Sequence, residues 1–596
     1  MRIAALVKQI PAFESMRLGP DGRLVRDGLA LEMNAYCRRA VAAAVTLAAE
    51  HADSTVTIIT LGPDTADDVL REAIAWGLAH DITEIDGVHV CDSAFAGSDT
   101  LATARAVHAA IDRLGPFDVV LCGRNSVDAD TGQVGPQVAE LLGVPFVGAA
   151  RTLHVDGDGV VEARCELDDG HLDVRTHLPA VISCAERLCD PSKVDPAGRA
   201  AVDAARIRRL SPADLGPGPW GAAGSPTWVG ASRAVSVTRD RIVDPTATLE
   251  AQVATAVVRL RARGALTAQE RHSSNTLRAM VHSTHDSGLG VAVVCEPGRP
   301  GPTAELLTAA THIAAPSEPV VALVPTRGAV PTAALGRAGA DRVVVFDGID
   351  SEDDTAAALA RWVGAERPAV VLAPSTTWGR EVAARVAARI GAGLTGDAVE
   401  LERHDGALIA WKSAFGGSLV VAIHAHSSVQ LATVRPGVFV AGERADTAPA
   451  VDVVTVHPLE RMQVLARVHD DDVDDLARAD VVIAVGRGVA PDDLEGLEPL
   501  RVHLGARFAA TRKVTDAGWM PRARQLGITG RSIAPRLLVS IGAHGKFNHS
   551  VGFRNATTVL AINPDPDAPI FDQADIGIVA PWQSAVPLLL DALAAP

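Results

Sequence analysis

No two of the seven cysteines (Cys37, Cys91, Cys122, Cys165, Cys184, Cys189, Cys295) form a CxxC pair. The odd count and scattered spacing argue against a disulfide framework and against a zinc or iron–sulfur site; the thiols read as small buried or free groups. No stretch reaches the ~20 consecutive apolar residues that a membrane span needs, so no integral membrane segment is expected. The start, MRIAALVKQI, lacks the long apolar centre and small-residue cleavage site of a signal peptide; it reads as a first β-strand, and the expected location is cytoplasmic. Excess basic charge is missing as well. The net charge of −17 disfavours nucleic acid and anionic membrane surfaces as partners. There is no Walker A sequence, no HExxH and no GxSxG elbow, and no nucleophile stands beside an obvious base. A stand-alone hydrolase or kinase is unsupported, and no catalytic residue is assigned.

What is present is length and patterning. The chain has 596 residues, of which 48% are hydrophobic and 21% charged, too many for one core and ordinary for globular domains. Val/Ile/Leu runs alternate with Ala-rich amphipathic stretches, an α/β pattern. The front half also resembles the rear half. FDVVLCGRNS leads into GQVGPQVAELLGVPFVGAA, and later PAVVLAPSTT leads into GREVAARVAARIGAGLTGDA. Each is a β-run, a polar turn, an amphipathic helix and a second strand. STVTIITLG likewise pairs with PVVALVP. This period is far longer than a solenoid repeat; it predicts two related α/β domains packed as a pseudo-dimer.

Residues 198–288 change character: LGPGPWGAAGSPTW is Pro/Gly-rich, a helical stretch LEAQVATAVVRLRARGAL follows, and then a polar run. Beyond about residue 455 a third unit begins, with strands ADVVIAVG, RLLVSIGA, TTVLAIN and IGIVA in an open nucleotide-binding pattern. The expected boundaries are 1–235, 236–288 as arm and linker, 289–455, and 456–596. The G-x-G-x-x-G match at Gly216, Gly218 and Gly221 lies among prolines, follows no strand and opens no helix, so it is set aside. The third unit carries the better candidates. Arg487 follows the strand VVIAV, Thr511 and Arg512 follow a further run, and Thr529 lies in a Gly-flanked turn. The loop His544-Gly545-Lys546-Phe547-Asn548-His549 follows LLVSI, Asn563 ends TTVLAIN, and Asp575 adjoins IGIVA. Glycines in such loops let backbone amides approach an anion.

The pieces DAGW, QLGITG, APRLL, INPDPDAPIF and ADIGIV together resemble the FAD domain of the electron-transfer flavoprotein alpha subunit. APSTTWGREVAARVAARIGAGLTGDAVEL resembles that subunit's N-terminal domain. VKQIP, MNAYC, SDTLATA, CGRNSVDADTGQVGPQVAE, LPAVISC and GSPT resemble the beta subunit. The resemblance implies beta and alpha subunits fused in one chain, beta first, with two Rossmann-like (adenine-nucleotide alpha hydrolase-like) domains and a doubly wound FAD-binding domain. The chain is then a pseudo-heterodimer in a single polypeptide.

By the same resemblance, FAD is expected against Arg487, Thr511, Arg512, Leu526, Gly527, Ile528, Thr529, His544, Gly545, Lys546, Phe547, Asn548, His549, Asn563, Asp575 and Ile576. A cation at Arg512 favours the negative charge that reduction places on the flavin's pyrimidine edge. The loop departs from the family's SGAIQH through His544, Lys546 and Phe547, and Ile528 stands where Gln is usual. A second nucleotide, AMP or a second FAD, is expected at Leu6, Asn34, Leu61, Asp128, Asp130, Thr131, Gly132, Gln133, Val134 and Gly135, a turn that opens a helix and is suited to phosphate. The implied function is a soluble electron carrier that takes electrons from a dehydrogenase and passes them to a quinone oxidoreductase or similar acceptor. The alternative is an electron-bifurcating flavoprotein that oxidises NADH with FAD at both sites. Where docking members carry a Leu anchor, this chain has Asp195 in a shorter loop, which disfavours an acyl-CoA dehydrogenase as donor.

Overall fold

The computed structural model describes residues 1–12, 28–234, 238–267, 277, 290–326, 328–414, 419–444, 448–469, 473–527 and 530–595; for Ala234, Val473, Asp474, Phe547 and Asn548 it describes the backbone only. Two compact units result. One comprises Met1–Ala234, Ser274–Phe415 and Leu419–Val468; the other comprises Val235–Ser273, Gly416–Ser418 and His469–Pro596.

The larger unit contains two sheets of ten strands each. The first runs Ile207–Leu210, Ile85–Val90, Thr55–Leu61, Arg2–Leu6, Val119–Gly123, Ala180–Cys184, Phe146–Val155, Val160–Glu166, Gly170–His177, Met462–His469. The second runs Ala450–Thr455, Arg342–Asp347, Val320–Thr326, Val291–Val294, Val370–Pro374, Gln430–Val434, Gly393–His404, Ala407–Ala414, Leu419–Ala425, Thr227–Ala234. Place for place the two orders are the same. The inner parallel strands carry Val, Ile, Leu and Ala because helices cover both faces. Helix ends follow local chemistry. Asp99 accepts from the Ala102 amide and Thr376 from the Gly379 amide. The equivalent helices Val134–Leu142 and Thr377–Ile390 both end on a left-handed glycine, Gly143 (φ +70°) and Gly391 (φ +67°).

The outermost place in each sheet is filled from the other half. Thr227–Ala234 pairs antiparallel with Leu419–Ala425 in the second sheet, and Met462–His469 closes the first sheet beside Gly170–His177. Met462 packs into the first core, and Thr176 Oγ1 donates to the Arg461 carbonyl at 2.6 Å. The two halves therefore complete one another.

The smaller unit is a five-stranded parallel sheet, ordered Arg507–Ala510, Val481–Val485, Leu537–Ile541, Thr558–Asn563, Ile576–Val579. In chain order that is 2-1-3-4-5, with the reversal between Val481–Val485 and Leu537–Ile541. The segment expected as arm and linker contributes here. Helix Leu249–Ala262 buries Val253, Ala256, Val257 and Leu260 in the same core as Val481, Ile483, Ile541, Ile578 and Leu589. Burying each large apolar side chain contributes about 1.5–3 kcal/mol, so this helix is part of the unit and not a tether. The Val579 amide donates to Gln252 Oε1 at 2.8 Å.

Candidate functional site

In an open parallel sheet, ligands bind beyond the carboxyl ends of the strands where the strand order reverses. At that point in the smaller unit two glycine loops meet. The Gly486 amide donates to the Ile541 carbonyl (2.8 Å) and the Gly488 amide to the Gly542 carbonyl (3.0 Å). A Cβ on Gly486 would lie 2.2 Å from the Gly542 carbonyl oxygen, so only glycine fits. Gly545 (φ +85°) passes equally close to Ile570, where a Cβ would lie 2.3 Å from its Cα. Trp582 lies at the carboxyl end of Ile576–Val579 and donates its indole N–H to the Gly488 carbonyl at 3.2 Å.

Around these loops stand exposed cations. Arg487 and Arg512 each follow a strand by two residues and both face solvent; Arg512 also pairs with Asp516 at 2.9 Å. Thr511 is half-buried and its amide donates to Val485. His544 and Lys546 are exposed on the loop that follows Leu537–Ile541. Leu526 and Gly527 are buried next to His549, whose Nδ1 faces the Leu526 carbonyl at 3.3 Å. His549 is 9% exposed, and its Nε2 has no partner among the described residues. Burial pushes its pKa down to about 4, with the Leu526 carbonyl opposing, so the ring is neutral. Ser540 Oγ, in the strand that leads to the same loop, is likewise buried without a partner among the described residues. Buried polar atoms are ordinarily satisfied. Two orphans beside a glycine cradle and a cation rim fit a dinucleotide with a polar ring system.

Ile528 and Thr529 lie outside the described residues, as do the side chains of Phe547 and Asn548. Asn563 is at the expected end but is already used: its Nδ2 donates to the Ala543 carbonyl (2.9 Å) and its Oδ1 accepts from the Asp565 amide. It shapes the loop. Asp575 and Ile576 require a correction. Ile576 begins the last strand and Asp575 immediately precedes it, so both sit at the amino end of the parallel sheet, opposite the loop cluster. Asp575 is fully buried and bonded to Arg239 (2.9 Å), Arg263 (3.3 Å) and the Val559 amide (2.8 Å). The residues at the ligand end of that strand are Ala580, Pro581 and Trp582. Sequence reasoning missed Trp582 and Ser540; a lone serine inside LLVSI was the available signal.

The first sheet of the larger unit reverses its order between Arg2–Leu6 and Val119–Gly123. Residues 124–133 form a ten-residue turn at that point. Leu6 and Leu61 end adjacent strands, and buried Asn34 spans the turn, donating to the Asn125 carbonyl (2.9 Å) and accepting from the Val127 amide (3.2 Å). Lys8 Nζ reaches Ser126 Oγ (3.0 Å) and Asp128 (2.9 Å). Burial raises the Asp128 pKa, but the Lys8 charge and the Ser126 hydroxyl outweigh it and hold it below the ordinary value. Asp130 (φ +46°) and Gly132 (φ +64°) are left-handed. Gln133 accepts from Thr100, and Val134 and Gly135 open the helix. Asn125 Oδ1 and His89 Nδ1 are buried without hydrogen-bond partners among the described residues. The matching place in the second sheet is closed: its turn is only Ser375–Thr376, and Glu296 accepts from Thr376 Oγ1 at 2.8 Å. Burial pushes the Glu296 pKa to about 8.

A family model described as electron transfer flavoprotein domain matches residues 21–210 and again 300–459, the two halves of the larger unit. A second, electron transfer flavoprotein FAD-binding domain, matches residues 475–554. The chain is 39% identical over 245 residues to protein FixB of Rhizobium meliloti, covering 39% of this chain and 69% of FixB. It is 35% identical over 305 residues to the electron transfer flavoprotein subunit alpha of Mycobacterium leprae, covering 49% of this chain and 93% of that protein. It is also 32% identical over 269 residues to subunit LctC of a lactate dehydrogenase (NAD(+),ferredoxin) of Acetobacterium woodii, covering 43% of this chain and 64% of that one. No helix among the described residues is long and apolar enough to cross a membrane. The chain belongs to the electron transfer flavoprotein family.

Proposed function

We propose that this is a beta-first fusion of both electron-transfer flavoprotein subunits, an electron carrier with FAD at the order reversal of the smaller unit. The beta-like part lies within residues 1–234 and the alpha-like N-terminal part within 290–468, the expected boundary near 455 moving later because Met462–His469 closes the first sheet; the flavin domain is 469–596, with 238–267 as the arm that joins its core. The observation that carries the reading is the buried Nε2 of His549, beside Leu526 and Gly527, which has no hydrogen-bond partner among the described residues. FAD, when bound, supplies one- and two-electron redox chemistry. The residues of the chain do the rest. Gly486, Gly488, Gly542 and Gly545 bring backbone close to the dinucleotide. Arg487, Arg512, His544 and Lys546 offset its charge. Neutral His549 and Ser540 present polar atoms from the buried side, and Trp582 fixes the Gly488 loop. Donor and acceptor are, on this reading, a dehydrogenase and a quinone oxidoreductase or similar protein. The 124–133 turn holds AMP or a second FAD.

Likeness to the LctC subunit favours a second reading, a bifurcating flavoprotein oxidising NADH with FAD at both sites. Denaturing the purified chain and quantifying released nucleotides separates the two. One FAD and one AMP per chain support the carrier, two FAD support bifurcation, and flavin retained by residues 1–235 alone instead of 238–596 sinks the assignment.

A further inference from the structure

The 124–133 turn belongs to the front half, yet two of the groups that hold its shape come from the rear half. Lys412, on Ala407–Ala414, donates from Nζ to the Ala129 carbonyl at 2.5 Å. Arg380, on helix Thr377–Ile390, donates to the carbonyl and carboxylate of Asp130, each at 3.4 Å. We propose that Lys412 and Arg380 are positioning residues that hold the 124–133 turn in its nucleotide-binding shape. This inference rests on the reading that the turn holds a nucleotide.

Asp130 is a non-glycine residue in the left-handed region, a conformation that persists only where the surroundings over-determine it. Inside the front half that constraint comes from Asn125 Nδ2 donating to the Asp130 carboxylate and from the Asp130 amide donating to Ser126 at 2.7 Å. The rest is supplied by the two rear-half cations. Peptide planes are rigid, so drawing the carbonyls of Ala129 and Asp130 toward the rear half turns the next amide away. The amides of Thr131 and Gly132 donate to no described residue and are left for a ligand.

The cations are themselves fixed. Arg380 reaches Asp397 at 3.5 Å, and Arg435 clamps the same carboxylate. Lys412 is 7% exposed; burial lowers its pKa, while Asp397 and Asp130 pull it back up. Burying an ammonium is costly unless it is well paired, and here Lys412 spends a hydrogen bond on the turn. The rear backbone also abuts the turn directly: a Cβ on Gly396 would lie 2.9 Å from Gln133 Nε2 and 3.4 Å from Thr131 Cα.

The test uses the full chain, stripped of its second nucleotide and titrated separately with AMP and with FAD. Lys412→Met and Arg380→Gln are each expected to weaken that binding at least tenfold, with the flavin of the smaller unit retained. The double variant should lose little more than either single one, since both act on the same turn. Lys412→Arg, which keeps a donor near Ala129, should bind like the unaltered chain. Gly396→Ala crowds the turn without removing a charge and should weaken binding even if Lys412→Met fails to fold. Binding unchanged in both Arg380→Gln and Gly396→Ala overturns the proposal. If the unaltered chain takes up neither AMP nor FAD at this turn, the underlying reading fails as well.

Discussion

Arg239 Nη1 lies 2.9 Å from Asp575 Oδ2, with side chains 6% and 0% exposed, so a residue from the middle of the chain neutralises a carboxylate buried under the last strand of the flavin domain. Arg263 approaches the other oxygen at 3.3 Å. Removing one partner of a buried pair costs about 3–5 kcal/mol because the other charge is stranded. Asp575→Ala is therefore expected to lower the unfolding midpoint of residues 238–596 severely, and residues 289–596, which lack the arm, to lose the domain's fold and flavin. Flavin content and urea unfolding of the two fragments decide it; equal behaviour with and without 238–267 contradicts the packing.

Arg512→Ala should change the flavin's midpoint potential more than the stability of the domain, because its side chain is exposed and its partner Asp516 is exposed as well. Losing a cation near the charge that reduction creates costs on the order of 1–3 kcal/mol in the reduced state, so the potential should fall. An unaltered potential in a fully loaded variant places Arg512 outside the site.

The His549 pKa is depressed from 6.5 to about 4 by burial. An unfolded chain takes up this proton near pH 6.5 while the folded FAD-free chain does not. The stability it contributes is thus present above pH 6.5 and lost as pH falls through about 4, on the order of 3 kcal/mol in all. The difference in unfolding free energy between the unaltered chain and His549→Asn should shift across that window. A difference that stays flat from pH 7 to 4 shows that the imidazole is not buried neutral.

Glu381 has the opposite sign. Burial, and then the charge of Glu352, push its pKa well above the ordinary carboxylate value, with Arg385 opposing. Its Oε1 and Glu352 Oε2 have no hydrogen-bond partner among the described residues, and both glutamates line a small cavity with Cys165 and Met462. The stability it contributes is complete below about pH 4.5 and declines as pH rises toward the raised value. Glu381→Gln should match the unaltered chain at acidic pH and exceed it in alkaline solution. Equal alkaline unfolding midpoints would rule out the protonated form.

Slow reduction by a medium-chain acyl-CoA dehydrogenase is the expected behaviour of the partner loop. Asp195 is exposed and accepts from the Gly198 amide at 2.7 Å, capping the short helix Pro196–Ala200, while Arg199 is held by Asp68 and Glu72. Loss of an apolar anchor costs about 2–4 kcal/mol, some thirty- to a thousand-fold in affinity. Asp195→Leu should not rescue docking, since it also removes the cap. Saturable turnover with the acyl-CoA enzyme at micromolar carrier would show that this loop does not select the donor.

The repeat of a β-run, a polar turn and a helix was legible in the residues alone, and it appears as two sheets of one order. The pattern is local: parallel strands buried on both faces must be apolar, and glycines mark the left-handed helix ends. The glycine-lined loops after VVIAV and LLVSI were legible for the same reason. What was not legible needed long-range pairing. Asp575 looks like a strand-end ligand in sequence, but only the parallel register assigns it to the amino end, where burial demands the Arg239 partner. Neither Trp582 nor Lys412 stands out in the sequence; the sheet brings the first to Gly488, and the packing of the rear half brings the second to Ala129. The sequence by itself determined which segments are strands, helices and turns, because those choices depend on neighbours within a few residues. Which end of each strand faces the ligand, and which half supplies the cations at each turn, was decided only by the tertiary structure, because buried charge is tolerable only where a distant partner arrives to meet it.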